Sequence, residues 1–140
     1  MIPEFVKAWD ERKHEVELAL TFKHPDNYDA IVKEVIKILS ETDDFAAPDP
    51  ERITCIDHGY CQGTQLYIIA TNEYEPATYW YVRVHYGSCS GCDTLAAIDS
   101  DTEYDDDFNK LPPTQGQLTD YMSLALHILQ QLKKLGDDDD

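Results

Sequence analysis

The chain has 140 residues, 42% hydrophobic and 28% charged, a balance that suits one globular domain with its own core and argues against a disordered chain. Eleven Lys and Arg stand against 28 Asp and Glu, giving a formal net charge of −17. Such a field repels phosphate backbones and anionic lipid, so neither direct nucleic-acid binding nor membrane binding is expected, and basic protein surfaces are attracted instead.

The acids are unevenly spread: residues 99–107 and 137–140 together hold ten of the 28. The expected organisation is one domain over residues 1–136 and an acidic, disordered tail at 137–140. No apolar run approaches the roughly 20 residues that cross a bilayer, and the opening MIPEFVKAWDERK lacks a signal-peptide core. An intracellular setting is therefore expected, in which four cysteines act as thiols or ligands rather than as a disulfide framework.

Pro3 suits a first helical turn, where its missing N–H costs nothing. Phe5, Trp9, Val16 and Leu20 follow at helical spacing, and the helix is expected to stop before Pro25. Asp26 or Asn27 then caps a second helix, whose apolar stripe is Tyr28, Ile31, Val32, Val35, Ile38 and Leu39. TDDFAAPDP reads as a linker. Three runs rich in β-branched and aromatic residues come next, over 52–58, 64–71 and 78–86. Their short connections favour antiparallel hairpins. DTLAAI reads as a short helix capped by Asp93. After the acidic stretch and KLPPTQGQ, a last helix carries Leu118, Met122, Ala125, Leu129 and Leu132, with Lys133 and Lys134 in its final turn and Gly136 ending it. The predicted fold is α+β: a three-stranded antiparallel meander packed against two N-terminal helices and one long C-terminal helix, in the order ααβββα.

Matching apolar positions fixes an expected register for each hairpin. In the first, Ile56 faces Leu66. In the second, Leu66 faces Val84, Ile68 faces Val82 and Ala70 faces Trp80, which makes one face wholly apolar. The other face then carries Ile53, Cys55, Tyr67, Ile69, Tyr79, Tyr81, Arg83 and His85. That set is too apolar for full solvation, so either a helix covers it or a second copy pairs through a Tyr67/Tyr79/Tyr81 face.

The same topology brings Asp57, His58, Cys61, Gln65, His85, Cys89, Cys92 and Asp93 to one end of the sheet. Cys89 and Cys92, in YGSCSGCDTL, have the spacing of a zinc ligand pair, and Cys61, His58 or His85 could complete a tetrahedron. The alternative is a redox pair before a helix start, although the order of elements differs from thioredoxin-like folds and Asp93 disfavours a thiolate. A tight turn of small residues is the plain reading of the same segment. Asp99, Asp101, Glu103 and Asp105 alternate as in a calcium loop, but Tyr104 replaces the required glycine and Lys110 the bidentate glutamate. His14, His24 and His127 have no partner pattern and read as ordinary surface or boundary residues. No phosphate loop is present, and Ser88 and Ser90 near His85 do not make a matched nucleophile and base.

IDHGYCQGTQLYII, YWYVRVHYGSCSGCDTL and TDYMSLALHILQQLKKL together resemble short acidic proteins of tailed bacteriophages and other large DNA viruses, with YGSCSGCDTL the most specific segment. The resemblance implies a viral origin and a location in the host cytoplasm or the virion, and assigns no catalytic residue. The expected function is that of a non-enzymatic acidic accessory protein that binds another protein, of the host in the first instance, and that pairs with itself. The alternatives are a zinc-binding or thiol-dependent small enzyme centred on Cys89 and Cys92, a virion component, and a mimic of nucleic-acid charge.

Overall fold

A computed structural model describes residues 3–40, 47–59, 63–71, 79–86 and 93–134. Its elements are α1 (Pro3–Thr21), α2 (Tyr28–Leu39), β1 (Pro48–Gly59), β2 (Gly63–Thr71), β3 (Tyr79–Tyr86), α3 (Thr94–Asp99), α4 (Gln115–Gln131) and β4 (Lys133–Lys134). The class is α+β, as the periodicities predict, with the meander widened to a four-stranded antiparallel sheet in the order β1-β2-β3-β4.

The starts of α2 and α4 are capped locally, and the end of α2 is met by a side chain of α1. The Asn27 side chain accepts from the Ala30 N–H (3.0 Å) to start α2, and the Arg12 guanidinium donates to the Ile38 carbonyl (3.2 Å) at its far end. Every residue of the predicted α2 stripe is buried. Thr114 and Gln117 form a reciprocal capping box at the start of α4, each side chain bonded to the other's backbone N–H (3.1 Å both ways). The Gln117 amide also donates to the Ile98 carbonyl (3.0 Å) and to Thr102 Oγ1 (3.1 Å), which locks α4 to α3.

The first hairpin has the predicted register, with Ile56 opposite Leu66 and Cys55 opposite Tyr67. The second lies one residue away from the prediction: Tyr67 faces Val82, Ile69 faces Trp80, and Leu66 faces Arg83. A slip of one inverts the face assignment of a strand relative to its neighbour. The face beneath the helices therefore carries Tyr67, Ile69, Thr71, Trp80, Val82 and Val84, all buried. α1, α2 and α4 cover it, and Phe5 of α1 sits against Trp80 with ring centroids 5.0 Å apart. The expected apolar partners of Val82 and Val84, Ile68 and Leu66, are on the other side. Tyr67 is on the core side, so it shares no face with Tyr79 and Tyr81, and the proposed Tyr67/Tyr79/Tyr81 pairing surface does not exist as one surface.

The end of α4 also differs. The helix stops at Gln131, Leu132 is extended (φ −69°, ψ 126°) and buried, and Lys133 and Lys134 pair with Tyr81 and Trp80 rather than closing a helical turn. The reason is the open edge of β3, whose backbone groups need partners. Gly136 lies outside the described residues.

Candidate functional site

β1, β2 and β3 come level at one end of the sheet. Gly59 pairs with Gly63, and Gly63 with Tyr86, so the β1–β2 connection and the chain that follows β3 both depart from this end. This much matches the expected convergence. Cys61, Cys89 and Cys92, and the side chain of His58, lie outside the described residues. The zinc and redox readings rest on them.

Strand alternation divides the remaining members between two faces. One row across the sheet is His58, Thr64 and His85, where Thr64 Oγ1 lies 3.0 Å from His85 Nδ1. The next row is Asp57, Gln65 and Val84, on the helix side, where Gln65 Nε2 donates to Asp57 Oδ2 (3.3 Å) and Tyr67 donates to Gln65 Oε1 (2.5 Å). Among the described residues, no group of three or more His, Cys, Asp or Glu is placed to hold a metal ion.

On the helix side Gln65, in the middle of that row, lines a cleft of about 370 Å³. Its wall includes Tyr28, Gln65, Asp93, Asp99, Lys110 and Tyr121. Asp93 is the N-cap of α3, as its position predicts: Oδ1 accepts from the Ala96 N–H (3.1 Å) and from the Tyr28 hydroxyl (2.5 Å). Tyr28 in turn accepts from the Leu95 N–H (3.0 Å). Burial, then the Asp93 carboxylate, raises the Tyr28 hydroxyl far above the ordinary tyrosine range. Lys110 Nζ lies 2.7 Å from Asp99 Oδ1 and holds that carboxyl below its usual range. The lysine that breaks the calcium-loop pattern thus pairs with the first acid of that pattern. Asp105 is engaged too, accepting from the Asn109 and Asp107 N–H groups (2.9 Å each), which lower its pKa.

His24 is buried, against the expectation of a surface or boundary position. Its Nε2 lies 2.9 Å from the Leu111 carbonyl, which only accepts, so Nε2 carries the proton. Nδ1 therefore accepts from the Tyr121 hydroxyl at 2.7 Å. Burial lowers the His24 pKa, and burial also pushes Tyr121 up to about 12. No sequence signal marks this pair, because the residues are far apart in the chain and each looks unremarkable in its own segment. Both tyrosines are protonated at neutral pH and Asp99 is paired with Lys110, so these groups enter the cleft wall as hydrogen-bonding partners.

The outer face of the sheet, away from the helices, has a different character. Ile56 is 49% and Tyr79 37% exposed, Leu66, Ile68, Ala70 and Tyr81 are half-buried, and none of them belongs to the core. The Arg83 guanidinium lies 5.5 Å from the centre of the Tyr81 ring, and Lys133 stands opposite Tyr81. Among the described residues of the paired ladder, this face carries Arg83, His85 and Lys133 and no Asp or Glu. Cys55 is on the helix side, next to Tyr67, where burial raises its thiol pKa. No family matches this chain, and neither a curated protein nor a solved structure does.

Proposed function

We propose that this chain is a non-enzymatic binding protein that docks another protein on the outer face of its sheet. The observation that carries the reading is the composition of that face: apolar in its centre, cationic at Arg83 and Lys133, and free of carboxylates among the described ladder residues, in a chain of net charge −17. An apolar patch of this kind on a soluble protein marks an interaction site, and its charge selects a partner with an apolar centre and acidic surroundings. The resemblance to short viral proteins makes a host or virion protein one source of such a partner, and a second copy of the chain is the other.

The reading is tested by photocrosslinking from single positions. A crosslinking residue at Ile56 or Tyr79, both exposed on the outer face, should give discrete protein adducts that are lost when Arg83 is changed to glutamate. The same residue at Leu18, 63% exposed on α1, serves as control. Equal adduct patterns from all three positions would refute the sheet face as the docking surface.

A further inference from the structure

We infer that the occupant of the outer sheet face is the Phe108 tip of a second copy of this chain, joined head to tail. The inference rests on the reading just given and adds to it the identity of the partner and the symmetry of the contact.

Of the exposed apolar features among the described residues, which also include Leu18 and Phe22, two stand in surroundings of opposite charge. One is the sheet face. The other is Phe108, which is 88% exposed. Its loop belongs to the helix side, where Lys110 pairs with Asp99 and the Leu111 carbonyl bonds to His24. The loop is closed by the Tyr104–Lys110 bridge and by the Asp105 N–H to Asn109 carbonyl bond (2.9 Å). Phe108 itself has φ 64°, the left-handed region that a bulky side chain rarely adopts. The loop therefore holds an aromatic ring out in solvent, in a conformation glycine would favour, beside Asp105, Asp106 and Asp107.

The charges of the two features are opposite. The sheet face offers Arg83 and Lys133, and the tip offers three consecutive aspartates. Face-to-face pairing of two sheets would instead set one cationic patch against another with no acid to answer it among the described ladder residues of that face, since a two-fold contact joins one patch to itself. The size of the patch sets the strength of any such contact. Three strands about 4.8 Å apart and about seven residues long present on the order of 300 Å², whereas a stable interface covers about 800 Å² on each partner. A flat pairing would be under-sized and repulsive. A protruding ring seated between Ile56, Leu66, Ile68 and Tyr81, with aspartates reaching Arg83 and Lys133, uses the same small area with matched charge. The contact falls in the weak, concentration-dependent class. It is also heterologous, so an open assembly keeps one free tip at one end and one free face at the other.

Sedimentation equilibrium from 10 µM to 1 mM in about 0.15 M salt, where charges beyond about 8 Å are screened, tests this with two variants. Phe108→Gly removes the ring and should leave stability unchanged or raised, because glycine suits the left-handed position. Ile56→Glu/Arg83→Glu spoils the face at two exposed positions. The wild type is expected to associate with rising concentration, and each variant alone to weaken association at least tenfold. A mixture of the two variants is expected to form a 1:1 dimer and nothing larger, since it holds one intact tip and one intact face. A wild type that stays monomeric at 1 mM overturns the inference and leaves the docking face standing for another partner. Association that survives Phe108→Gly overturns the tip as occupant. Association that survives the double face variant overturns the inference by placing self-association away from the sheet face.

Discussion

Replacing Ile68 and Ile69 one at a time by alanine weighs the two faces of β2 against each other. Ile69 is fully buried in the core, while Ile68 is half-buried on the outer face. Both sit mid-strand, opposite Tyr81 and Trp80 respectively. The loss of strand propensity, up to about 1 kcal/mol, is common to both and cancels in the comparison. What remains is the core term. Deleting a buried isoleucine to alanine removes transfer energy and leaves a cavity, about 2–5 kcal/mol in all. Full burial of such a side chain is worth about 1.5–3 kcal/mol, so truncating the half-exposed Ile68 should remove no more than about 1 kcal/mol from this source. At roughly 4 °C per kcal/mol for a domain of this size, and with the propensity loss included in both, Ile69→Ala should lower the melting temperature by about 8–24 °C and Ile68→Ala by no more than about 8 °C. Urea denaturation followed by circular dichroism gives the two free energies, with an unchanged slope expected for both. Equal losses, or a larger loss at Ile68, would refute the register and the face assignment together.

Three further outcomes are expected. Gln117→Leu should cost about 2–3 kcal/mol, because it strips the Ile98 carbonyl and the Thr114 N–H of a buried partner, and hydrogen exchange at Thr114 should rise with it. Thr114→Ala should cost about 1 kcal/mol as the loss of an N-cap, measured by the same denaturation. The third concerns pH. The folded His24 pKa lies below its ordinary value of 6.5, so the folded state binds fewer protons there. Its contribution is complete above about 6.5 and is lost as pH falls from there through the lowered folded value. The urea midpoint should therefore drop across that window, and His24→Gln should flatten the slope. Asp99, whose folded pKa is depressed, acts in a separate window. Its contribution is present above the ordinary value of 3.8 and is lost as pH falls through the lower folded value.

The helices were legible from a stripe, a cap or both. Tyr28 to Leu39 shows a complete apolar face behind Asn27, and Asp93 caps the α3 segment in which Ile98 is buried. The first hairpin was legible because the Ile56–Leu66 match leaves little choice of register. The second was not, because β2 is apolar on both sides: Leu66 and Ile68 compete with Tyr67 and Ile69, and hydrophobic matching cannot choose between them. β4 was invisible for another reason. Two lysines carry no strand preference, and their pairing comes from the vacant edge of β3. His24 and Tyr121 meet only through tertiary packing, so neither segment announces the pair. Of the site, the convergence of the strand ends was readable from topology, whereas the division of Asp57 and His85 between faces depended on the parity of the pairing. The Phe108 tip escaped notice because its exposure follows from the Asp105-closed loop, not from any periodic pattern.

The central claim, an open and adhesive outer sheet face, is most directly tested by methyl NMR with a soluble nitroxide. In dilute protein the methyl signals of Ile56, Leu66 and Ile68 should be strongly broadened, and those of Ile69 and Leu129, both fully buried, should not. At millimolar protein the first group should become protected as copies associate, while the second stays unchanged. Protection of Ile56, Leu66 and Ile68 already in the dilute monomer would contradict the account.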